Sequence, residues 1–329
     1  MKPLVIYHAN CADGFGAAFA AWLKLSDEAE YVACQYGDDA PDGCTMSHSL
    51  EGRDIYILDF SFPRDQMDFF FKHAKRVTWL DHHASVFKDW DIPLDVVGDN
   101  EYFSIEDQPH WVELDNNKSG AYLAWEYFHP GTDVPLFIRH IDDYDRWQFK
   151  IEGTKAFQKA LWSYATWSFA GWKNAFISAP NSNAPYESLD NFYAEGEAIL
   201  RAHEQNVQSV VKGGARKCSI VPAVINLSDS YKAPWVWWYD EEFGDTCGVN
   251  GLSANCPPHL TSDVGHELAN QSGTFGLLWF IDKDNRCKCS LRSNGEYDVS
   301  AIAKAFGGGG HKNAAGFSVD IQTLLGWIK

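Results

Sequence analysis

Three short apolar runs near the start of the chain each stop on a histidine or an aspartate. Leu4–Tyr7 runs into His8, with Asp13 shortly after; Ile55–Leu58 ends at Asp59; Val77–Leu80 ends at Asp81-His82-His83. Between them, Ala17–Leu25 and Pro63–Ala74 space their apolar residues as a helix does. Strand alternating with helix is the pattern of a parallel α/β sheet. In such a sheet the carboxyl ends of neighbouring strands converge on one edge, where ligands bind. The expectation is therefore a meeting of His8, Asp13, Asp59, His82 and His83.

Further along, a helix is expected from Ser119, and Pro135–His140 reads as a helical segment running into the acids of "IDDYDRW" at Asp142, Asp143 and Asp145. Residues 151–215 read as helical and irregular, with a long amphipathic helix over Leu189–Lys212 that Gly213-Gly214 closes. Strand signals resume at Cys218–Ile225, Phe275–Ile281 and Cys287–Arg292, with helices at Asp263–Asn270 and Val299–Phe306. A chain of 329 residues is long enough for two cores. The fold class read from this order is α/β: a parallel, doubly wound amino-terminal sheet (1–150), a helical connector (151–215) and a smaller α/β carboxy-terminal domain with a mixed sheet (216–329).

The formal net charge of −18 argues against a protein that coats long nucleic acid, whose affinity comes from many Lys and Arg contacts to phosphate. Carboxylates that hold cations lose their repulsive field, so the acidity points to metals and small phosphorylated ligands. The first apolar stretch is too short for a secretory signal and no later run reaches membrane-spanning length. A soluble, cytoplasmic protein with reduced thiols and no membrane partner is expected. The long helix at 189–212 suits a homodimer interface and a plain connector equally. Cys247, Cys256, Cys287 and Cys289, near His259 and His266, are zinc-capable residue types, but they lack a CxxC pair and packing is the favoured reading. Trp235, Trp237 and Trp238 are read as core before base-stacking platforms.

Imidazole and carboxylate together suit manganese or zinc better than magnesium alone. Two cations about 3.5–4 Å apart and sharing a carboxylate can activate water and stabilise both oxygens of an in-line phosphoryl displacement. Asp59 fits the bridging position, with His8 on one side and Asp13, His82 and an acid of the 142–145 cluster on the other. Asp142, Asp143 and Asp145 are all open for that acid. For any single one of these acids, capping the next helix is the plain alternative. The run "FGGGGHKNAAGF" is either a flexible turn after a helix or a phosphate cradle. In the second case Gly308, Gly309 and Gly310 offer backbone N–H groups and His311 adds a donor. Arg292 could fork onto a phosphate in the same domain or form a surface ion pair.

The "DHH" at 81–83, the upstream "HANCADGFGAA", "DFS" at 59–61 and "GGGGHKNAAGF" together resemble the DHH phosphoesterase superfamily with its DHH-associated carboxy-terminal domain, nearest its nanoRNase and oligoribonuclease branch. The resemblance implies two manganese ions, with other divalent metals acceptable: His8 and Asp59 hold one, and Asp13, Asp59, His82 and a later Asp hold the other, Asp145 being preferred for that acid with Asp143 in reserve. It makes His83 a neighbour of the scissile phosphate and gives Arg292, the glycines and His311 to the substrate. The implied activity is hydrolysis of short oligonucleotides to mononucleotides. Alternatives are a cyclic-dinucleotide or bisphosphorylated-nucleotide phosphohydrolase and a non-catalytic nucleotide-binding protein. The chain departs from the family at Cys11, which stands where the first acid of a D-x-D pair is usual. The cation beside His8 is then bound more weakly, uses Cys11 as a thiolate, or arrives only with substrate.

Overall fold

The computed structural model describes residues 1–35, 50–91, 101–105, 108–164, 166–177, 189–220, 236–240, 244–295 and 297–328. Two compact units are present, Met1–Leu200 and Arg201–Lys329.

In the first unit the strands are β1 (Leu4–His8), β2 (Glu30–Cys34), β3 (Asp54–Leu58), β4 (Arg76–Asp81), β5 (Glu101–Ile105) and β6 (Gln108–Leu114), in the order β2-β1-β3-β4-β6-β5. The first five strands of that order are parallel, and β5 closes the edge antiparallel to β6. Side chains alternate between faces along each strand. Val5, Leu58 and Leu80 enter one core with the helices Ala12–Leu25, Gly120–Phe128 and Leu136–Asp145. Leu4, Ile6, Ile55, Ile57, Val77 and Trp79 enter another with Arg64–His73 and Ala84–Asp89. Both faces are covered, which makes the sheet doubly wound and explains why its central strands are continuously apolar. The register pairs Tyr7 with Leu58 and Leu58 with Leu80, so β1, β3 and β4 end side by side.

The stretch read as a connector is divided between the units. Phe157, Leu161, Trp172, Phe176 and Leu189 belong to the first core, whereas Val207 and Val211 of the long helix Asp190–Gly214 pack in the second unit.

The second unit holds β7 (Arg216–Ile220), β8 (Val236–Asp240), β9 (Gly244–Asn255), β10 (Phe275–Ile281), β11 (Cys287–Ser293), β12 (Gly309–His311) and β13 (Ala314–Val319). Its order is β12-β13-β11-β10-β9-β7, with β8 also paired to β9. Only β9 and β10 run parallel among the described pairs, so the sheet is mixed. The helices Val299–Ala305 and Ile321–Trp327 cover one face and Thr261–Ser272 the other. Among the described residues the zinc-capable cysteines are not drawn together: Cys287 and Cys289 are buried in one core of this unit and Cys256 in the other. The second half of the strand expected over Cys218–Ile225, Trp235, and the side chains of Trp237, Trp238 and Cys247 lie outside the described residues. Among the described residues no helix is long and apolar enough to cross a membrane.

Candidate metal centre

The shared edge of β1, β3 and β4 collects the site. Asp59 follows β3 directly, in a left-handed backbone conformation (φ 53°) that a non-glycine residue adopts only at a cost of order 1 kcal/mol. That bend turns its carboxylate inward, where it is 1 % exposed. The close approach of Gly120 completes the fit, since a Cβ there would stand 2.3 Å from the Asp59 Cβ.

Two groups of donors meet at Asp59. On one side His8 Nδ1 is 3.6 Å from Asp59 Oδ2, and His8, Cys11 and Asp59 offer ligand atoms all within 4.8 Å of one another. On the other, His82 Nε2 stands 3.1 Å from Asp59 Oδ1, 3.4 Å from Asp13 Oδ2 and 3.5 Å from Asp145 Oδ2. Asp13, His82 and Asp145 form a second set within the same 4.8 Å limit.

Asp13 sits in the first turn of the helix that Cys11 caps, earlier than the periodicity from Ala17 indicated. Its oxygens accept the Gly120 and Ala121 amides at 2.7 and 2.9 Å, so it also caps the helix Gly120–Phe128. The positive end of that helix thus faces the acidic cluster.

The three acids of "IDDYDRW" separate by role. The helix expected to stop at His140 continues to Asp145 and presents that carboxylate to His82. Asp142 accepts the Ser119 amide at 2.7 Å. Asp143 accepts the amides of Lys150 and Ile151 and the Thr154 hydroxyl, at 2.7, 3.1 and 2.6 Å. The structure does not bring Asp143 to the centre; its carboxylate is engaged in closing the turn that follows.

Asp81 had no assigned role in the sequence reading. Its carboxylate accepts the backbone amides of His82 (2.7 Å) and His83 (3.2 Å), the Ser61 hydroxyl, and His83 Nδ1–H at 2.7 Å. Ser61 in turn accepts the Trp79 indole N–H at 3.0 Å. The first residue of "DHH" therefore orients the third, a second layer of bonds that metal and phosphate sites require.

Burial raises Asp13 well above the usual carboxylate range, with Asp59 and Asp145 adding to it. Burial and nearby carboxylates likewise push the Cys11 thiol up. Burial disfavours a charged His82, yet Asp59, Asp13 and Asp145 outweigh it and hold its imidazole well above the ordinary value. Asp59 is lowered against its own burial by His8 and His82. Asp81 raises His83 to about 9, again against burial. Two buried carboxylates, Asp13 and Asp59, and the more exposed Asp145 thus converge on one imidazole. Both Asp59 oxygens and His82 Nε2 are buried with no aligned hydrogen-bond partner. Such groups cost about 1–3 kcal/mol each unless something binds them. This donor set, nitrogen and oxygen with one sulfur, fits divalent cations, which Asp59, His82 and their neighbours would hold.

A cleft of about 430 Å³ opens beside the centre, lined by His82, His83, Asn116, Asp145, Arg146 and Gln148. Arg146, Asn116 and Gln148 were not anticipated; the one available signal was the cation directly after Asp145.

In the second unit the glycine run turns from the helix Val299–Ala305 into β12. Backbone demands account for part of it. Gly310 has φ 136°, and a Cβ on Gly308 would stand 2.1 Å from the Gly316 carbonyl oxygen. Gly309 lies open and His311 is exposed at the end of β12. Arg292 ends β11 half-buried; its described polar contacts are the Leu291 carbonyl (2.9 Å) and the Ser262 hydroxyl (3.3 Å), and burial lowers its pKa.

An α/β unit with a half-buried His–Asp–Cys cluster at its sheet edge, followed by a mixed-sheet unit, is the class of protein the fold and site define. Residues 258–325 match the DHHA1 domain. The second unit thus carries the DHH-associated domain that the sequence resemblance implied. Over 329 residues the chain is 26 % identical to the uncharacterized protein R106 of Acanthamoeba polyphaga mimivirus, covering 96 % of this chain and 67 % of that protein. Among solved structures it is similar to the pGpG-specific phosphodiesterase PggH from Vibrio cholerae, with 13 % identity, a TM-score of 0.47, and 98 % and 95 % of the two chains covered.

Proposed function

We propose that this chain is a metal-dependent phosphodiesterase of the DHH superfamily that hydrolyses short oligonucleotides to mononucleotides. The observation that carries the reading is the buried, hydrogen-bond-orphaned carboxylate of Asp59 between two donor sets, His8–Cys11 and Asp13–His82–Asp145. The DHHA1 domain at 258–325 adds support.

A pair of divalent cations, manganese by this reading, supplies activation of water and stabilisation of the attacking and leaving oxygens of an in-line displacement. The chain's residues do the rest. Asp59 bridges the two donor sets, and Asp13 and Asp145 complete the second. His83, held by Asp81 through Nδ1, is oriented to donate from Nε2 to a phosphate oxygen where negative charge develops. Arg146 adds a guanidinium to the same cleft, which at about 430 Å³ is the size of a small-ligand pocket and not of a duplex groove. In the second unit Arg292, Gly308, Gly309, Gly310 and His311 are the phosphate-binding candidates.

The test is a product profile on short RNA, short DNA and cyclic dinucleotides, run with manganese, zinc, cobalt and magnesium. Release of mononucleotides from a 5′-labelled RNA dimer or trimer is expected. Turnover confined to cyclic or bisphosphorylated substrates would replace the substrate part of the reading, and nucleotide binding without turnover under every metal would remove the enzymatic part. Asp59→Ala is expected to abolish turnover.

A further inference from the structure

We propose that the His8 side of the centre is a thiolate site that selects a borderline-soft ion, of the zinc or cobalt type, while the Asp13–His82–Asp145 side takes a harder ion such as manganese. This rests on the two-cation reading above and adds to it an asymmetry in metal identity.

Four observations lead here. Cys11 Sγ, a ring nitrogen of His8 and a carboxylate oxygen of Asp59 lie within 4.8 Å of one another. Cys11 occupies the N-cap of the helix Ala12–Leu25 without a geometric side-chain cap bond, its sulfur lying beside the Gly14 amide. Asp59, 1 % exposed, turns Oδ2 towards His8, and this buried oxygen has no aligned hydrogen-bond partner. Finally, the second set contains no sulfur: Asp13, His82 and Asp145 offer two carboxylates and an imidazole.

Ligand softness separates the two sets. A thiolate favours zinc and cobalt over manganese and magnesium, whereas carboxylate-rich sets suit the harder ions. Three protein ligands, Cys, His and Asp, would leave room for a further ligand on the ion, as in catalytic and not structural zinc sites. Binding is a proton exchange: the Cys11 S–H proton leaves to solvent as the sulfur–metal bond forms, and no electron is transferred.

Cobalt distinguishes the ligands by spectrum. The full chain, stripped of metal by chelation, is titrated with cobalt(II) alone while absorbance and bound cobalt are followed together. The expected result is a near-ultraviolet thiolate-to-cobalt charge-transfer band that saturates at one cobalt per chain. Cys11→Ser should lose that band, and Cys11→Asp should lose it while keeping both cobalt ions. Two bound cobalt ions with no such band, or a band that survives in Cys11→Ser, would overturn the thiolate assignment and leave the two-cation reading standing. Failure to bind any cobalt would remove both. Circular dichroism of the variants checks folding, and slower alkylation of Cys11 in the cobalt-loaded chain gives a second readout of the bond.

Discussion

At the scale of single residues, the site is decided by which polar groups are already satisfied. Asp143 and Asp145 are two residues apart and chemically identical, yet one closes a turn through three hydrogen bonds and the other faces His82. Asp143→Ala is therefore expected to cost about 1–3 kcal/mol of stability, seen as a lower urea midpoint, with manganese stoichiometry of the surviving folded protein unchanged. Asp145→Ala should do the reverse: manganese binding measured by calorimetry weakens while stability of the metal-free chain holds or rises, since a carboxylate repelled by Asp59 is removed. Equal behaviour of the two variants would contradict the separation. Gly120→Ala tests the close contact with Asp59. Its Cβ would meet the Asp59 Cβ at 2.3 Å, and overpacking of this kind costs about 1–3 kcal/mol. A thermal transition lowered by ~2–4 °C per kcal/mol is expected.

At the scale of elements, the helix Leu136–Asp145 is tied to its neighbours by a buried relay. The Thr154 hydroxyl donates to Asp143 at 2.6 Å, so it accepts from His140 Nδ1–H at 2.8 Å, and His140 Nε2 accepts from the Tyr193 hydroxyl at 2.6 Å. Burial lowers His140 to about 4. The unfolded chain, with an ordinary histidine near 6.5, binds a proton first, so stability falls as pH drops from about 6.5 towards 4. The slope contributed is at most about 1.4 kcal/mol per pH unit. Urea midpoints at pH 7 and pH 4.5 should diverge in the wild type and draw together in His140→Gln; identical pH dependence in both would exclude this histidine as the cause.

At the scale of the whole molecule, metal and fold are linked in the first unit. A cation that binds only the folded state adds about 2.7 kcal/mol at one hundred times its dissociation constant. Removing it with a chelator is expected to lower the thermal transition of the Met1–Leu200 unit by roughly 5–10 °C and to leave that of Arg201–Lys329 in place. A transition insensitive to chelator and to added manganese would count against a resident metal centre.

Much of this was legible in the chain. Apolar runs that stop on His8, Asp59 and Asp81-His82-His83 determine a parallel sheet with its chemistry at one edge, because sterics and burial act locally and leave a period in the sequence. Less legible were β2, β6 and the strands of the second unit around β9. Glu30–Cys34 buries only Cys34 fully, and the Gly244–Asn255 strand carries glycines and asparagine that read as a loop until partners supply its hydrogen bonds. Only the tertiary structure decided which acid faces the centre, that Asp81 orients His83, and that Arg146, Asn116 and Gln148 line the cleft. The reason is physical: a carboxylate's role depends on which donors reach it first, and the amides of Lys150, Ile151 and Gly120 come from residues whose positions no local rule sets.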